Sequence, residues 1–477
     1  MSTSLNDENL RRKCQIFTPD NVVSDMLDYL GYVEDLYGKK VFEGSCGNGQ
    51  FLKEVVKRYI NFCKKMGMRH DSIENGLAND IVGVELDQAL LSECLEKLNE
   101  VALGEGLSDI HWDIRNGDSL RLSLEDRFDY VVGNPPYLSY WDLPVSERNY
   151  IRSSFDSCNN GAFDYCYAFL DQGASLLGAN GRLAFLVPSS IFKTKSGRPL
   201  REAIKTDLVA VYDLSQEPVF EALTTPVIIL LQAGSQSDSF VYTEKTSGKS
   251  FRIKKDNLGK TWVFKESYEL LDNRRRFGDF FNVSASVATQ LNNAFLLKGW
   301  ELEGDYYASS NGEKIEKCAV RKAASPKGMK NELDERMIFP YYYKDGHIRS
   351  YEEEEYRTLY PFAYSHLEKY KIDLAGRSSD HKAQWFEYGR SQALGRINNE
   401  KVLISSVVTS KTKPVVLDKE TIPYSGFFIT QKADLSLDKA LKILSSEKFI
   451  EYAYEVGVSI SGESVRISIN DIREYQW

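Results

Sequence analysis

The sequence contains no apolar run long enough to span a bilayer, and its polar start, residues 1–8, does not read as a signal peptide. A cytoplasmic location is the expectation. Cysteine is scarce: Cys14, Cys46, Cys63, Cys94, Cys158, Cys166 and Cys318 are scattered, odd in number and without C-x-x-C spacing. That pattern indicates neither a disulfide framework nor a zinc site, and no metal is expected. Positive charge is in deficit, with a net charge of −9, which argues against a broadly basic nucleic-acid-binding surface. Local basic clusters at 193–201, 274–276, 321–330 and 411–413 would still suffice to line a groove. A complete G-x-G-x-x-G is absent, as are internal repeats and zipper heptads.

What is present describes an ordinary globular chain. Its 477 residues, 42% hydrophobic and 27% charged, suit two or three domains. From Lys40 to about Gly234, short apolar runs alternate with amphipathic helical stretches, the pattern of a mostly parallel α/β sheet with helices on both faces. The expected strands are 40–42, 81–84, 110–113, 128–132, 182–187, 208–214 and 227–232. A polar stretch at 235–250, rich in Ser, Gln and Thr, marks the boundary between a domain at 1–240 and another at 241–477. Ligands of doubly wound sheets lie at the carboxyl ends of the strands, so the loops there carry the chemistry.

One of those loops is Asn134-Pro135-Pro136-Tyr137, directly after the apolar run 128–133. Chance would produce this tetrapeptide in roughly one chain in a thousand of this length. An exocyclic amino group is a weak nucleophile because its lone pair is delocalised into the ring. Two acceptors, the Asn134 side-chain oxygen and the Pro135 carbonyl, can each take one amino hydrogen and so favour a tetrahedral nitrogen aimed at a methyl donor. The two prolines fix φ and remove N–H donors, while Tyr137 supplies a flat face for stacking. The plain structural alternative is a rigid strand-to-loop turn.

Other strand ends offer partners for a cofactor. Residues 43–49, Glu-Gly-Ser-Cys-Gly-Asn-Gly, follow the first strand; the glycines permit a tight turn, and Glu43 can hold a cationic amino group, or the segment is a simple turn before a helix. Glu85 ends the second strand and reads either as an acceptor for ribose hydroxyls or as part of the helix start that Asp87 caps. Asp118, after Asn116-Gly117, is an acceptor for an adenine amino group or a turn residue. Upstream, Thr18 as N-cap and Pro19 at the first helical position begin an amphipathic helix whose free amides, with the Thr18 hydroxyl, form a seat for a carboxylate.

In this order the motifs resemble the adenine-N6 DNA methyltransferases of the γ arrangement, typified by the TaqI methyltransferase. The resemblance covers roughly residues 12–235, continuing through 163–177, 181–190 and Pro218-Val219-Phe220. It implies a Rossmann-like class I fold dependent on S-adenosylmethionine (SAM), with a C-terminal α+β target recognition domain. By similarity, Thr18, Glu43, Gly47 and Gly49 would contact the methionine part of SAM. Glu85 would hold the ribose, Leu86 would line the adenine pocket, and Asp118 with Ser119 would meet the cofactor's adenine edge. Asn134 and Pro135 would accept hydrogen bonds from the target N6, while Tyr137 and Phe220 would sandwich the flipped base. Gly44-Ser45 stands where Pro-Ala is frequent in these enzymes, which leaves the contact of Ser45 open.

The second half resembles, less tightly, the specificity domains of TaqI-like and Eco57I-like enzymes, through 366–370 and 385–392. Its many aromatics among basic and amide side chains suit a grip on duplex DNA, or ordinary core packing. Arg390, Gln392 and Lys411 are the candidate DNA contacts, and the stretch 436–456 is expected to be helical. The resemblance implies a monomer acting on double-stranded DNA within a restriction-modification system, with a separate cognate endonuclease or none. Two readings compete with a DNA methyltransferase. One is a protein-glutamine or RNA amino-group methyltransferase, which poses the same chemical problem; the other is a DNA-specificity subunit without catalysis.

Overall fold

The computed structural model describes residues 18–124, 127–214, 225–266, 275–380, 383–461 and 464–477. The chain divides into two compact units, Met1–Glu269 and Leu270–Trp477. The boundary thus lies beyond the expected residue 240, because the polar stretch at 235–250 extends the first sheet instead of ending it.

Nine strands of the first unit form one sheet among the described residues. They are β1 (Val41–Glu43), β2 (Ile81–Glu85), β3 (Asp113–Asn116), β4 (Phe128–Gly133), β5 (Leu177–Pro188), β6 (Leu208–Asp213), β7 (Pro226–Gln232), β8 (Ser239–Glu244) and β9 (Lys249–Lys254). Their spatial order is β3-β2-β1-β4-β5-β7-β6-β8-β9. The first five are parallel, β7 runs antiparallel to both β5 and β6, and β8 returns parallel to β6.

The continuous apolar runs arise because the sheet is covered on both faces. Val132 packs with Leu27, Leu52 and Leu98 from α1 (Asp20–Leu30), α2 (Gln50–Lys65) and a later helix, Gln88–Gly104. Its neighbour Val131 points the other way, toward Ile151, Phe169 and Leu200. Ile228 and Leu230 alternate with Val227, Ile229 and Leu231 in the same fashion.

Two sequence expectations shift. The third strand is Asp113–Asn116, not 110–113, with Val82 paired to Asp113; Ile110 and Trp112 pack on the core from the preceding loop. The hairpin β8–β9 reads poorly in sequence because only one side of it is buried. Phe240 and Ile253 face the core, whereas Arg252 and Lys254 are exposed.

The second unit is α+β. An antiparallel sheet of Phe281–Ala285, Phe427–Gln431, Lys401–Ile404 and Val415–Leu417 is covered by the helices Leu437–Leu444 and Glu447–Val456. The expected helical stretch 436–456 is therefore two helices, capped by Ser436 and Ser446, whose side chains accept from the amides three residues on. The aromatic segments serve the core: Tyr341, Tyr356, Phe386 and Tyr388 are buried together. Arg377 pins this region by donating to the carbonyls of Leu374, Thr289, Trp385 and Glu387.

Candidate active site

The strands β1 and β4 are neighbours at the point where the strand order reverses, the position at which open α/β sheets bind ligands. Glu43 ends β1 and Gly133 ends β4. A Cβ on Gly133 would lie 3.6 Å from Glu43 Cγ, so the Asn134–Tyr137 loop leaves the sheet right beside that carboxylate.

Glu43 is 2% exposed, and its Oε2 has no hydrogen-bond partner among the described residues. Burial pushes its carboxyl well above the ordinary carboxylate range, and the neighbouring Cys94 and Glu85 add to the shift. A buried carboxyl left this way calls for a cationic partner. Asn48 Oδ1 and Ser119 Oγ are buried without a partner as well. Ser119 Oγ lies only 3.3 Å from where a Cβ on Gly44 would stand, so these atoms flank the loop after β1. Asn48 was not singled out from sequence; its place between two glycines of that loop was the available signal.

The loop is held by few bonds. The Cys46 amide donates to Val84 O at 3.0 Å and the Gly49 amide to Cys46 O at 2.8 Å. Gly47 and Gly49 both have left-handed φ, +53° and +83°. Their surroundings differ: a Cβ on Gly47 would meet open space, whereas one on Gly49 would strike Cys94 Sγ at 2.7 Å. Ser45 is half-buried at the start of the loop.

Glu85 bridges this loop to the next. Its Oε2 accepts from the Gly47 amide and its Oε1 from the Asp87 amide, each at 2.8 Å. Burial raises its carboxyl pKa, and those two amides oppose the shift. Asp87 caps the following helix by accepting from the Ala89 amide, as expected. Leu86, 46% exposed, presents apolar surface beside Glu85, and Asn116 Nδ2 fixes the backbone there by donating to the carbonyls of both residues. Asp118 is engaged on its own turn, accepting from the Leu120 amide at 3.1 Å and pairing with Arg121 at 2.9 Å. Arg121 in turn reaches the buried Glu147 at 2.5 Å.

Thr18 differs from its expected role. Pro19 is the N-cap of α1, and no side-chain cap is made. The Thr18 hydroxyl, 3% exposed as a residue, instead accepts from Asn134 Nδ2 at 3.1 Å. On the other side of the same carboxamide, the Tyr137 hydroxyl lies 2.5 Å from Asn134 Oδ1 and 3.0 Å from Leu186 O, with one proton to donate between them. Pro135 is buried, while Pro136 and Tyr137 are half-buried. Phe220 lies outside the described residues.

In the second unit, Arg390 is half-buried and pairs with Asp380 at 3.2 Å, while Gln392 and Lys411 are exposed. The segment 366–370 packs inward: His366 and Lys369 both contact Glu313, at 3.2 and 2.6 Å.

The sheet order from β3 to β6, with β7 reversed and the motifs gathered on its carboxyl edge, agrees with the expected Rossmann-like fold. Residues 59–220 match the family described as Eco57I restriction-modification methylase. Among curated proteins, the Type II methyltransferase M.PaeR7I of Pseudomonas aeruginosa is 28% identical over 46% of this chain and 40% of its own length. M.BstVI of Geobacillus stearothermophilus is 29% identical over 51% of this chain and 46% of its own. The restriction enzyme and methyltransferase RM.Eco57I of Escherichia coli is 22% identical over 68% and 37%. The chain spans less than half the length of each of these relatives. Among solved structures, the Type IIL restriction-modification enzyme MmeI in complex with DNA has a similar fold, with a TM-score of 0.61 at 15% identity, over 94% of this chain and 63% of that one. The DrdV–DNA complex gives 0.56 at 13% identity, over 96% and 53%. Among the described residues, no helix is long and apolar enough to cross a membrane.

Proposed function

We propose that this chain transfers a methyl group from SAM to N6 of an adenine flipped out of duplex DNA, as the modification activity of a restriction-modification system. The observation that carries this reading is the Asn134 carboxamide, bonded to Thr18 and Tyr137 beside the buried Glu43, whose Oε2 has no partner among the described residues, at the switch point of the nine-stranded sheet. The relatives named above are two Type II methyltransferases and a Type II restriction enzyme and methyltransferase, which supports the reading.

The residues at the carboxyl edge fit SAM. Glu43 suits its ammonium group, the open space at Gly47 admits its backbone approach, and Thr18 suits its carboxylate. Gly49 and Ser45 shape the same loop. Glu85 and Leu86 suit the ribose and adenine, and Asn48, Ser119 and Asp118 complete the wall. When bound, SAM supplies a sulfonium-activated methyl carbon, so transfer needs no covalent enzyme intermediate. The chain contributes position and polarisation. Asn134 Oδ1 and the Pro135 carbonyl accept the two amino hydrogens, and Pro136 stiffens the loop. Tyr137, anchored through its hydroxyl, offers a ring face to the base; Phe220, outside the described residues, is the second stacking residue that the resemblance implies.

The acceptor nitrogen of a paired adenine is engaged in the duplex, so the base must leave the stack. Target recognition belongs to residues 270–477, with Arg390, Gln392 and Lys411 as candidate contacts. Monomeric action, a cytoplasmic location and a separately encoded cognate endonuclease are part of the proposal. Asn134→Ala tests it: transfer of tritiated methyl groups to duplex DNA should vanish while SAM binding by calorimetry stays nearly intact. Full activity of that variant, or transfer only to RNA or to glutamine-bearing peptides, would overturn the reading.

A further inference from the structure

We infer that Trp141 stacks on a base beside the gap left by the flipped adenine, with Lys195 on a phosphate next to it; this surface rests on the function proposed above. Two features stand outside the site already described: an exposed tryptophan and the basic cluster at 193–201.

Trp141 is 74% exposed, whereas Trp112, Trp262, Trp300, Trp385 and Trp477 are half-buried or buried. A tight turn displays it. The Asp142 amide donates to Ser139 O at 3.0 Å, and the Ser139 amide and hydroxyl donate to Asp142 Oδ2 at 3.1 and 2.6 Å. Arg148 fastens the far side by donating to Trp141 O at 3.0 Å and Leu143 O at 2.8 Å. Tyr140 anchors the near side, its ring edge-to-face with the buried Phe163 at 5.3 Å. The indole is therefore held out on a backbone that is already ordered, so little further freedom is lost when it binds.

Its place in the fold puts it beside the target-base loop. Trp141 is four residues past Tyr137, so the two Cα atoms are no more than about 14 Å apart. β4 and β5 are parallel neighbours, and the segments leaving their carboxyl ends carry Trp141 and Lys195 respectively. Those segments are linked. Arg152 Cζ stands 5.2 Å from the Tyr140 ring centroid, Arg152 Nη2 donates to Gly161 O at 2.8 Å, and a Cβ on Gly161 would lie 3.6 Å from Ser196 Cβ. Lys195 and Arg198, on either side of Ser196, are exposed. Arg198 shares its charge with Glu202 at 3.5 Å, which makes Lys195 the phosphate contact. An exposed aromatic ring bordered by cations is complementary to nucleic acid: the cations meet phosphates and the ring meets a base face.

When an adenine leaves the duplex, the bases on either side each lose a stacking partner. An indole on one of those faces recovers part of the loss, and it can do so only where a base has been flipped. Trp141 thus acts at the cognate site alone, whereas Lys195 acts on any duplex.

The test uses the full chain with sinefungin and two duplexes, one carrying the mapped methylation site and one without it. Trp141→Ala should lower affinity for the cognate duplex about tenfold, the scale of one stacked base, and leave the non-cognate duplex, SAM affinity and melting temperature unchanged. Trp141→Phe should restore most of the loss. Lys195→Ala should weaken both duplexes alike and reduce the slope of log affinity against log salt by about one. Acrylamide quenching of the emission that Trp141→Phe removes should fall on adding the cognate duplex only. Wild-type cognate affinity in Trp141→Ala, equal losses on the two duplexes, protection of Trp141 that appears without DNA as protein concentration rises, or an unchanged salt slope in Lys195→Ala would overturn the inference while the methyltransferase reading stands. A wild-type chain that methylates no adenine in any duplex would overturn the parent reading, and this inference with it.

Discussion

Glu85 Oε2 accepts the Gly47 amide proton at 2.8 Å, tying the end of β2 to the glycine loop that follows β1. The other oxygen of the same carboxylate accepts from Asp87, so one side chain shapes both loops around the candidate cofactor seat. Glu85→Ala removes two charge-assisted bonds and should cost about 2 kcal/mol or more of first-unit stability, together with most SAM affinity. Urea denaturation and calorimetry measure the two effects. Unchanged stability would show that the bonds are incidental.

The two loop glycines should respond differently. Gly49→Ala meets both a left-handed φ and Cys94, so a loss of about 2–4 kcal/mol in unfolding free energy is expected. Gly47→Ala meets the backbone cost alone, about 1–2 kcal/mol, but places a methyl group in the open space assigned to the cofactor. It should weaken SAM more than it weakens the fold, and thermal melts with and without SAM separate the outcomes.

These relationships also show what was legible in the sequence. The strands around the switch point were readable because burial on both faces leaves unbroken apolar runs, as in 128–133 and 226–232. The site loops were readable because Asn134–Tyr137 and Glu43–Gly49 each follow such a run. The hairpin β8–β9 was not, since it alternates within a serine-rich stretch and its partner β6 lies far back in the chain. Nor was the true partner of Thr18, because a local cap is the nearest explanation for Thr-Pro before a helix, whereas Asn134 is 116 positions away. For the aromatics of the second half, ordinary core was already the favoured reading over base contact, and Tyr356 and Tyr388 pack in that core.

Buried Lys401 provides a pH signature of the second unit. Its ammonium donates to the carbonyls of Asp418 and Thr421 at 2.6 and 3.0 Å, and burial lowers its pKa to about 8 from the ordinary lysine value of 10.5. The folded pKa lies below the unfolded one, so between these values the unfolded chain binds more protons and stability rises with pH. The wild-type protein should therefore gain stability relative to Lys401→Met from about pH 8 to 10.5. Parallel urea-denaturation profiles for the two proteins across that window would refute the assignment.

The exposed cation Lys411 and amide Gln392 should separate positioning from reading. Lys411→Ala should weaken binding to all duplexes alike and reduce the slope of log affinity against log salt by about one. Gln392→Ala should instead leave the slope unchanged and relax preference at a single base pair, worth about 1–3 kcal/mol. Competition binding at several salt concentrations reads both. Identical behaviour of the two variants and the wild type would remove these residues from the interface.

The central claim is that Asn134, set between Thr18 and Tyr137, directs a methyl group to adenine N6 in duplex DNA. Single-molecule modification mapping of genomic DNA treated with this chain and SAM tests it most directly. The predicted result is N6-methyladenine at nearly every copy of one short sequence, and none with Asn134→Ala. DNA without modified adenine, or with methyl groups on cytosine instead, would contradict it.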